Sequence, residues 1–322
     1  GTGRFHPPNK FKTKTFARFQ LRADGSIIRW RDVSSCCANS VKSESHEDLQ
    51  DVEREFMKIC IYGAGAIGGF LGAYLARAGH EVSLIARGAH LDALRSKGLT
   101  LIHGEEKFIT YPDCAEDPRQ VGTTDAVFVT VKGPALAAVG DGIGPLLGAD
   151  TPVVFAMNGL PWWYDHGRDA PLTGAASLLD PTGSLRRTVG EKRAIGCVVD
   201  CPVRISEPGM VICNRPTRAK FALGEPNGTN SDRVLALSDV LDKAGLDGPV
   251  SRDIRHAIWA KLVINLSRSP LAVLMGVPET KLSVDPAMTE ISCEMITEAA
   301  AVAAAHGISL DLDWPRLLEE KH

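Results

Sequence analysis

Lys58-Ile59-Cys60-Ile61-Tyr62 runs without a break into Gly63-Ala64-Gly65-Ala66-Ile67-Gly68. The first five residues read as a short buried strand, and the GxGxxG turn that follows opens an apolar helix over residues 67–78, which stops at Gly79. Each glycine has its own task. Gly63 permits the tight turn, Gly65 keeps a Cβ out of the path of a pyrophosphate, and Gly68 lets the helix lie close to the strand. Ala64, Ala66 and Ile67 complete the cradle. A phosphate would sit at the helix N-terminus, where free N–H groups and the helix dipole favour an anion. The strand-turn-helix context predicts an α/β fold with a Rossmann-type dinucleotide-binding domain.

The next strand, residues 81–86, ends at Arg87, close to where NAD-specific proteins carry an acid for the ribose 2'-hydroxyl. An acid there repels a 2'-phosphate, whereas an arginine pairs with it, so NADP(H) is the expected cofactor. Two further apolar strands, 125–131 and 152–157, run out into Lys132 and into Asn158-Gly159. Ligands of open parallel sheets bind at the carboxyl edge, which makes Lys132 a candidate for the adenosine phosphate and Asn158 for the nicotinamide. An ordinary solvated strand-end lysine is the competing reading of Lys132. Segments 99–102 and 107–111, around Gly104-Glu105-Glu106, predict a β-hairpin. Beyond the aromatic loop Pro161-Trp162-Trp163-Tyr164, the runs 194–205, 210–213 and 219–223 predict more sheet.

From residue 234 the pattern turns helical, with segments 234–244, 253–269 and 286–305. The expected architecture is therefore a Rossmann-type domain over residues 57–225 followed by a mainly helical C-terminal domain over 226–322. In the helix from Asp253, Ile254, Ile258, Leu262 and Leu266 form an apolar line expected to face the core, and Pro270 is expected to end or kink the helix. Lys261, Asn265 and Ser269 repeat with the same spacing on another face. A lysine, an amide and a hydroxyl suit a cleft wall, because each is costly to bury without partners. Hydride delivery to a carbonyl builds negative charge on oxygen, which an ammonium can stabilise and protonate. Lys261 is thus the candidate general acid, with Asn265 orienting the carbonyl.

The 322 residues are 44% hydrophobic and 23% charged with a formal net charge of −3. This balance favours a soluble two-domain protein with a small-molecule partner over a nucleic-acid or membrane binder, in the cytoplasm. Eight cysteines lie scattered without CxxC spacing and are expected to be free thiols, with no metal site. Residues 1–43 carry nine basic residues against Asp24 and Asp32, and an acidic stretch from Glu44 to Glu55 follows. Residues 1–56 are expected to lie outside the folded domains. A targeting presequence and translated upstream sequence are the two readings; the acidic block and the Cys36-Cys37 pair favour the second.

From Met57 onward the chain resembles the ketopantoate reductase (2-dehydropantoate 2-reductase) family. The resemblance rests on residues 63–68, Arg87 with Lys132, Asn158-Gly159, and Trp259-Ala260-Lys261-Leu262 followed by Asn265 and Pro270-Leu271. It implies NADPH-dependent reduction of 2-dehydropantoate to pantoate, on the way to pantothenate and coenzyme A. By similarity Lys261 is the proton donor, Asn265 contacts substrate, Asn158 meets cofactor and substrate, and Arg87 with Lys132 clamps the 2'-phosphate. Ser269, preceded by Arg268, stands where the family usually has an asparagine, which alters the expected substrate contact. The family also continues past the point matching His322 into a segment supplying a substrate-binding serine and a glutamate. The resemblance therefore implies a C-terminally truncated chain that turns over poorly. Two alternatives stay open: a reductase of another 2-oxo acid or imine, and a non-catalytic NADP-binding sensor. The partner is expected to be a small 2-oxo acid, with neither nucleic acid nor membrane, and a homodimer is left open as the assembly.

Overall fold

In a computed structural model, residues 56–168, 178–282 and 284–310 are described, together with strands β1 (Phe19–Leu21) and β2 (Ile27–Arg29). β1 and β2 pair antiparallel within the unit formed by residues 1–52. The remainder of the stretch read as a leader lies outside the described residues, except Phe56. The Phe56 ring meets His80 edge-on at 6.2 Å, so packing begins one residue before Met57.

Residues 53–322 form one compact unit. Its main sheet contains β3 (Lys58–Tyr62), β4 (Glu81–Ile85), β7 (Asp113–Ala115), β8 (Ala126–Val129), β9 (Val153–Ala156), β10 (Ala194–Asp200) and β13 (Lys220–Gly224). Their spatial order is β13-β10-β9-β8-β3-β4-β7, parallel throughout except for β13. The six parallel strands have the doubly wound order, which reverses between β3 and β8. β8 and β9 are buried at every position, as a parallel sheet covered on both faces requires. In the centre, Ile61 stands beside Leu84 on one side and Phe128 on the other.

The hairpin is present as β5 (Leu99–His103) and β6 (Glu106–Thr110), turning at Gly104-Glu105. The run 194–205 corrects a simpler expectation, because it is not one strand. Cys201-Pro202 divides it, and β11 (Val203–Glu207) with β12 (Met210–Cys213) leaves the main sheet to join the hairpin. β12 lies parallel to β5, giving a second sheet of order β11-β12-β5-β6. Proline lacks the N–H a continuing ladder needs, so the chain changes sheets there.

Helix α1 (Ala66–Arg77) lies between the two sheets, and Gly68 through Leu75 are all buried. Its apolar composition on every side follows from having two sheets to cover. Burying Phe70 and Leu71 completely contributes about 1.5–3 kcal/mol each. Helices α2 (Gly88–Lys97), α3 (Leu136–Gly142), the short α4 (Ser184–Thr188) and α5 (Asp232–Lys243) pack around this core.

The helical half is built on α6 (Ile254–Met275) and α7 (Pro286–Ala305). Asp253 caps α6 by accepting from the His256 N–H at 2.9 Å, and Gly276 ends it in the left-handed region at φ 65°. Ile254 and Trp163 fill the space over Gly196, where a Cβ would come within 2.6 Å of Ile254 Cγ1. That contact seats the start of α6 on β10. Trp162, Trp163 and Tyr164 are fully buried there, and Trp259 Nε1 donates to Tyr164 Oη at 2.6 Å.

Two expectations about α6 need correction. Pro270 does not end the helix, which continues to Met275. The proline leaves the carbonyl of Leu266 without its helical donor, and Leu266 is 41% exposed, so water can satisfy it. Exposure of Leu266 is the second correction. A four-residue repeat drifts by about 40° per step on a 3.6-residue helix, so the line from Ile254 has left the core by Leu266. Ile254, Ile258, Trp259, Val263, Ser267 and Leu271 carry the buried side instead. The helix is also long and apolar enough, with mean hydropathy 1.2, to cross a membrane by length and composition. Its buried residues pack against β10 and α7, while Leu266, Val273 and Leu274 stand exposed.

Cys60, Cys114, Cys197, Cys201, Cys213 and Cys293 are free thiols. Burial pushes Cys60 up to about 12 and Cys114 to about 11, and raises Cys197 and Cys201 as well.

Candidate active site

The glycine turn is held from both sides. The Gly63 and Ala64 N–H groups donate to the Ile85 carbonyl at 3.2 and 2.8 Å, tying the turn to the end of β4. Thr130 Oγ1 donates to the Gly63 carbonyl at 2.6 Å, tying it to the end of β8. Gly63 sits at φ 105°, a conformation side-chain-bearing residues rarely adopt. A Cβ on Gly68 would lie 2.2 Å from the Gly63 carbonyl oxygen and 2.4 Å from Thr130 Oγ1, so helix and turn touch without room for a methyl. A Cβ on Gly65 would meet nothing within 4 Å. The open space at Gly65 and the closed space at Gly68 are what a backbone cradle for a pyrophosphate requires.

A cleft of about 430 Å³ opens beside this turn. Gly63, Ala64 and Gly65 line it with Tyr62, Ile85 and Val131, and Arg87 stands exposed at its rim, at the N-cap of α2. Burial, with Cys60 beside it, raises the Tyr62 phenol above its ordinary value, and the Arg87 guanidinium opposes the shift. Lys132 follows the lining residue Val131 but is exposed and outside the lining set. Glu116, one residue past β7, lines the same cleft and was missed in the sequence; it too follows the carboxyl end of a parallel strand.

A second cavity of about 250 Å³ borders α1 through Ile67 and the exit of β9 through Asn158. Its far wall is α6, which contributes Lys261, Ile264, Asn265 and Arg268. These are residues i, i+3, i+4 and i+7 of one helical face. Ser269 is not among them: it is exposed, and its Oγ donates to Glu279 Oε1 at 2.5 Å. Eight residues from Lys261 rotate a side chain by about 80°, whereas seven bring Arg268 back to within about 20°. The stripe of Lys261, Asn265 and Ser269 is therefore a stripe of Lys261, Asn265 and Arg268.

Lys261 Nζ donates to Asp200 Oδ1 at 3.3 Å, and Arg215 Nη1 donates to Asp200 Oδ2 at 3.0 Å. Asp200 was absent from the sequence-based candidates, yet it is the last residue of β10, at the same carboxyl edge that singled out Asn158. One carboxylate thus holds two cations, with the Lys261 side chain only 18% exposed. Asp200→Asn weakens that hold on Nζ. With Nζ as the candidate proton donor, the expected result is a kcat lowered roughly 10- to 100-fold, the cost of a misplaced reacting group, and an unchanged KM for the expected dinucleotide. Steady-state kinetics check both.

Comparison with known proteins adds an independent line. The family model described as ketopantoate reductase PanE/ApbA matches residues 59–227, and its C-terminal counterpart matches residues 253–320. A 2-dehydropantoate 2-reductase from Mesorhizobium japonicum is 39% identical over 265 residues, covering 82% of this chain and 81% of that protein. One from Pyrococcus horikoshii is 26% identical over 266 residues, covering 81% and 78%. A solved structure from Ralstonia solanacearum superposes with a TM-score of 0.76 at 33% identity, covering 83% of each chain.

Proposed function

Because the chain belongs to the ketopantoate reductase family, we propose that it reduces 2-dehydropantoate to pantoate with NADPH, a step toward pantothenate and coenzyme A. The observation that carries this reading is the cavity in which Lys261, Asn265 and Asn158 share walls with α1, the helix that begins at the glycine turn.

In this reading the turn at residues 63–68 holds the pyrophosphate of a nicotinamide dinucleotide, which when bound supplies the hydride that reaches the substrate's C2. Lys261 stabilises the charge that builds on the carbonyl oxygen and gives it a proton from Nζ, completing the hydroxyl. Asp200 keeps Nζ aimed into the cavity, and the Asn265 amide donates to the same oxygen or its neighbour to fix the carbonyl plane. Asn158 closes the side nearest the cofactor. Residues 57–225 carry the cofactor site and residues 226–322 the proton donor, although Asp200 and Arg215 of the first segment also line the substrate cavity. A soluble substrate and cofactor fit a cytoplasmic reaction.

Arg87 supports NADPH over NADH, with Lys132 able to assist from the neighbouring strand end. Glu116 in the same cleft is the observation favouring the ribose hydroxyls of NADH. Arg87→Glu is expected to raise KM for NADPH roughly 10- to 100-fold, the loss of a charge-assisted pair plus a new repulsion, with far less effect on NADH. An unchanged NADPH preference overturns the role given to Arg87.

The whole reading is tested by following cofactor oxidation with a panel of 2-oxo acids and imines. The highest kcat/KM is expected for 2-dehydropantoate. Turnover confined to another 2-oxo acid corrects the substrate, and cofactor binding without any turnover leaves a sensor.

A further inference from the structure

Arg268 is 6% exposed, and its side chain lines the cavity that holds Lys261 and Asn265. Its Nε is buried without a hydrogen-bond partner, and among the described residues no carboxylate forms an ion pair with it. The other charges of the cavity are accounted for. Asp200 binds both Lys261 and Arg215, and Glu279 accepts from Ser269. The lining carries three cations against two carboxylates, and Arg268 is the cation for which no ion pair is found among the described residues.

A guanidinium is costly to bury without a counter-charge, since desolvation is offset only by an anion in good geometry. Here it is buried beside an open volume of about 250 Å³, large enough for a small organic acid. Position supports the same conclusion. Arg268 follows Lys261 by seven residues on one face, and helical side chains lean toward the N-terminus, which brings the guanidinium back toward Asn265 and the lysine. A planar fork of N–H donors also matches a carboxylate in two parallel hydrogen bonds.

We propose that Arg268 is the receptor for the C1 carboxylate of the substrate, and that this site selects 2-oxo monocarboxylates whose C2 oxygen lies toward Lys261. The inference rests on the reductase reading above and names the group that provides its acid specificity. Arg268 would then perform in this chain a task that Ser269, turned away to Glu279, does not.

The test compares the wild-type chain with Arg268→Gln and Arg268→Lys, using the 2-oxo acid and its neutral C1 amide as substrates. Thermal melts confirm that both variants fold. The expected result is a KM for the acid raised roughly 10- to 100-fold in Arg268→Gln, the loss of a charge-assisted bidentate contact, with kcat changed far less. The amide loses much less than the acid, and Arg268→Lys falls between. Equal losses for acid and amide in both variants, or an unchanged KM for the acid, overturn the proposal. So does a variant that loses only preference for a 2-oxo dicarboxylate, which would put the guanidinium at the far end of the ligand. If the wild type turns over no 2-oxo acid, the reductase reading fails, and calorimetric titration of the acid judges the site separately. Binding weakened in Arg268→Gln upholds the carboxylate site; equal binding, or none to the wild type, overturns it.

Discussion

Replacing Lys261 with alanine is expected to lower kcat by about two to four orders of magnitude, the range over which a positioned general acid acts. The dinucleotide should bind as before, because its cleft is lined by residues 62–65 and their neighbours and not by Lys261. KM for the 2-oxo acid should change much less than kcat, since the proton is needed most where charge builds on oxygen. Single-turnover kinetics with preloaded NADPH separate the chemical step from binding. A loss of less than tenfold in that step would move the proton donor elsewhere, and the cavity offers Arg215 and Arg268 only as permanent cations. Alanine also removes the ion pair of Asp200 with residue 261, while that with Arg215 remains. The same measurement on Asp200→Asn then tells whether the carboxylate acts through Lys261, because the second substitution should add little to the first.

The second large effect concerns the turn. Gly68→Ala places a methyl 2.2 Å from the Gly63 carbonyl oxygen, 2.4 Å from Thr130 Oγ1 and 2.9 Å from Ile61 Cγ2. None of these is the free end of a flexible side chain. Either α1 moves off β3, or the turn gives up the Thr130 bond that fixes it to β8. Overpacking of this kind costs about 1–3 kcal/mol, and loss of the Thr130 bond adds about 0.5–1.5 kcal/mol, the Gly63 carbonyl keeping only the Gly65 N–H at 2.7 Å. The melting temperature should fall by several degrees and dinucleotide affinity by more than about 100-fold, since the cradle is the part displaced. Gly65→Ala is the control. Its methyl meets nothing within 4 Å and its φ of −68° suits any residue, so the melting temperature should hold while affinity drops. Calorimetric titration of NADPH alongside thermal melts reads both variants. Equal destabilisation by the two would mean that the glycines serve folding alone.

Several features were legible in the chain because their causes lie within a few residues. The strand over 58–62, the glycine turn and α1 follow from a local apolar run, a backbone that must turn tightly, and a helix with no polar side. Arg87 and Asn158 were legible through the rule that ligands gather at the carboxyl edge of a parallel sheet. The same rule, applied to the strand ending at 200, points to Asp200. It went unused because the run 194–205 looked like a single strand whose end lay further on.

Sequence by itself therefore determined the fold class, the glycine turn and the helix that bears Lys261 and Asn265, since each rests on backbone geometry and local periodicity. Tertiary structure alone decided the division of the strands into two sheets, the pairing of Lys261 with a carboxylate 61 residues away, and the choice of Arg268 over Ser269 for the cavity wall. The physical reason is the same in all three. Which strand a strand pairs with, which charge meets which, and how far a helix is rotated about its axis depend on the surface it packs against. In α6 that surface is made by β10, where Ile254 packs over Gly196, and by α7.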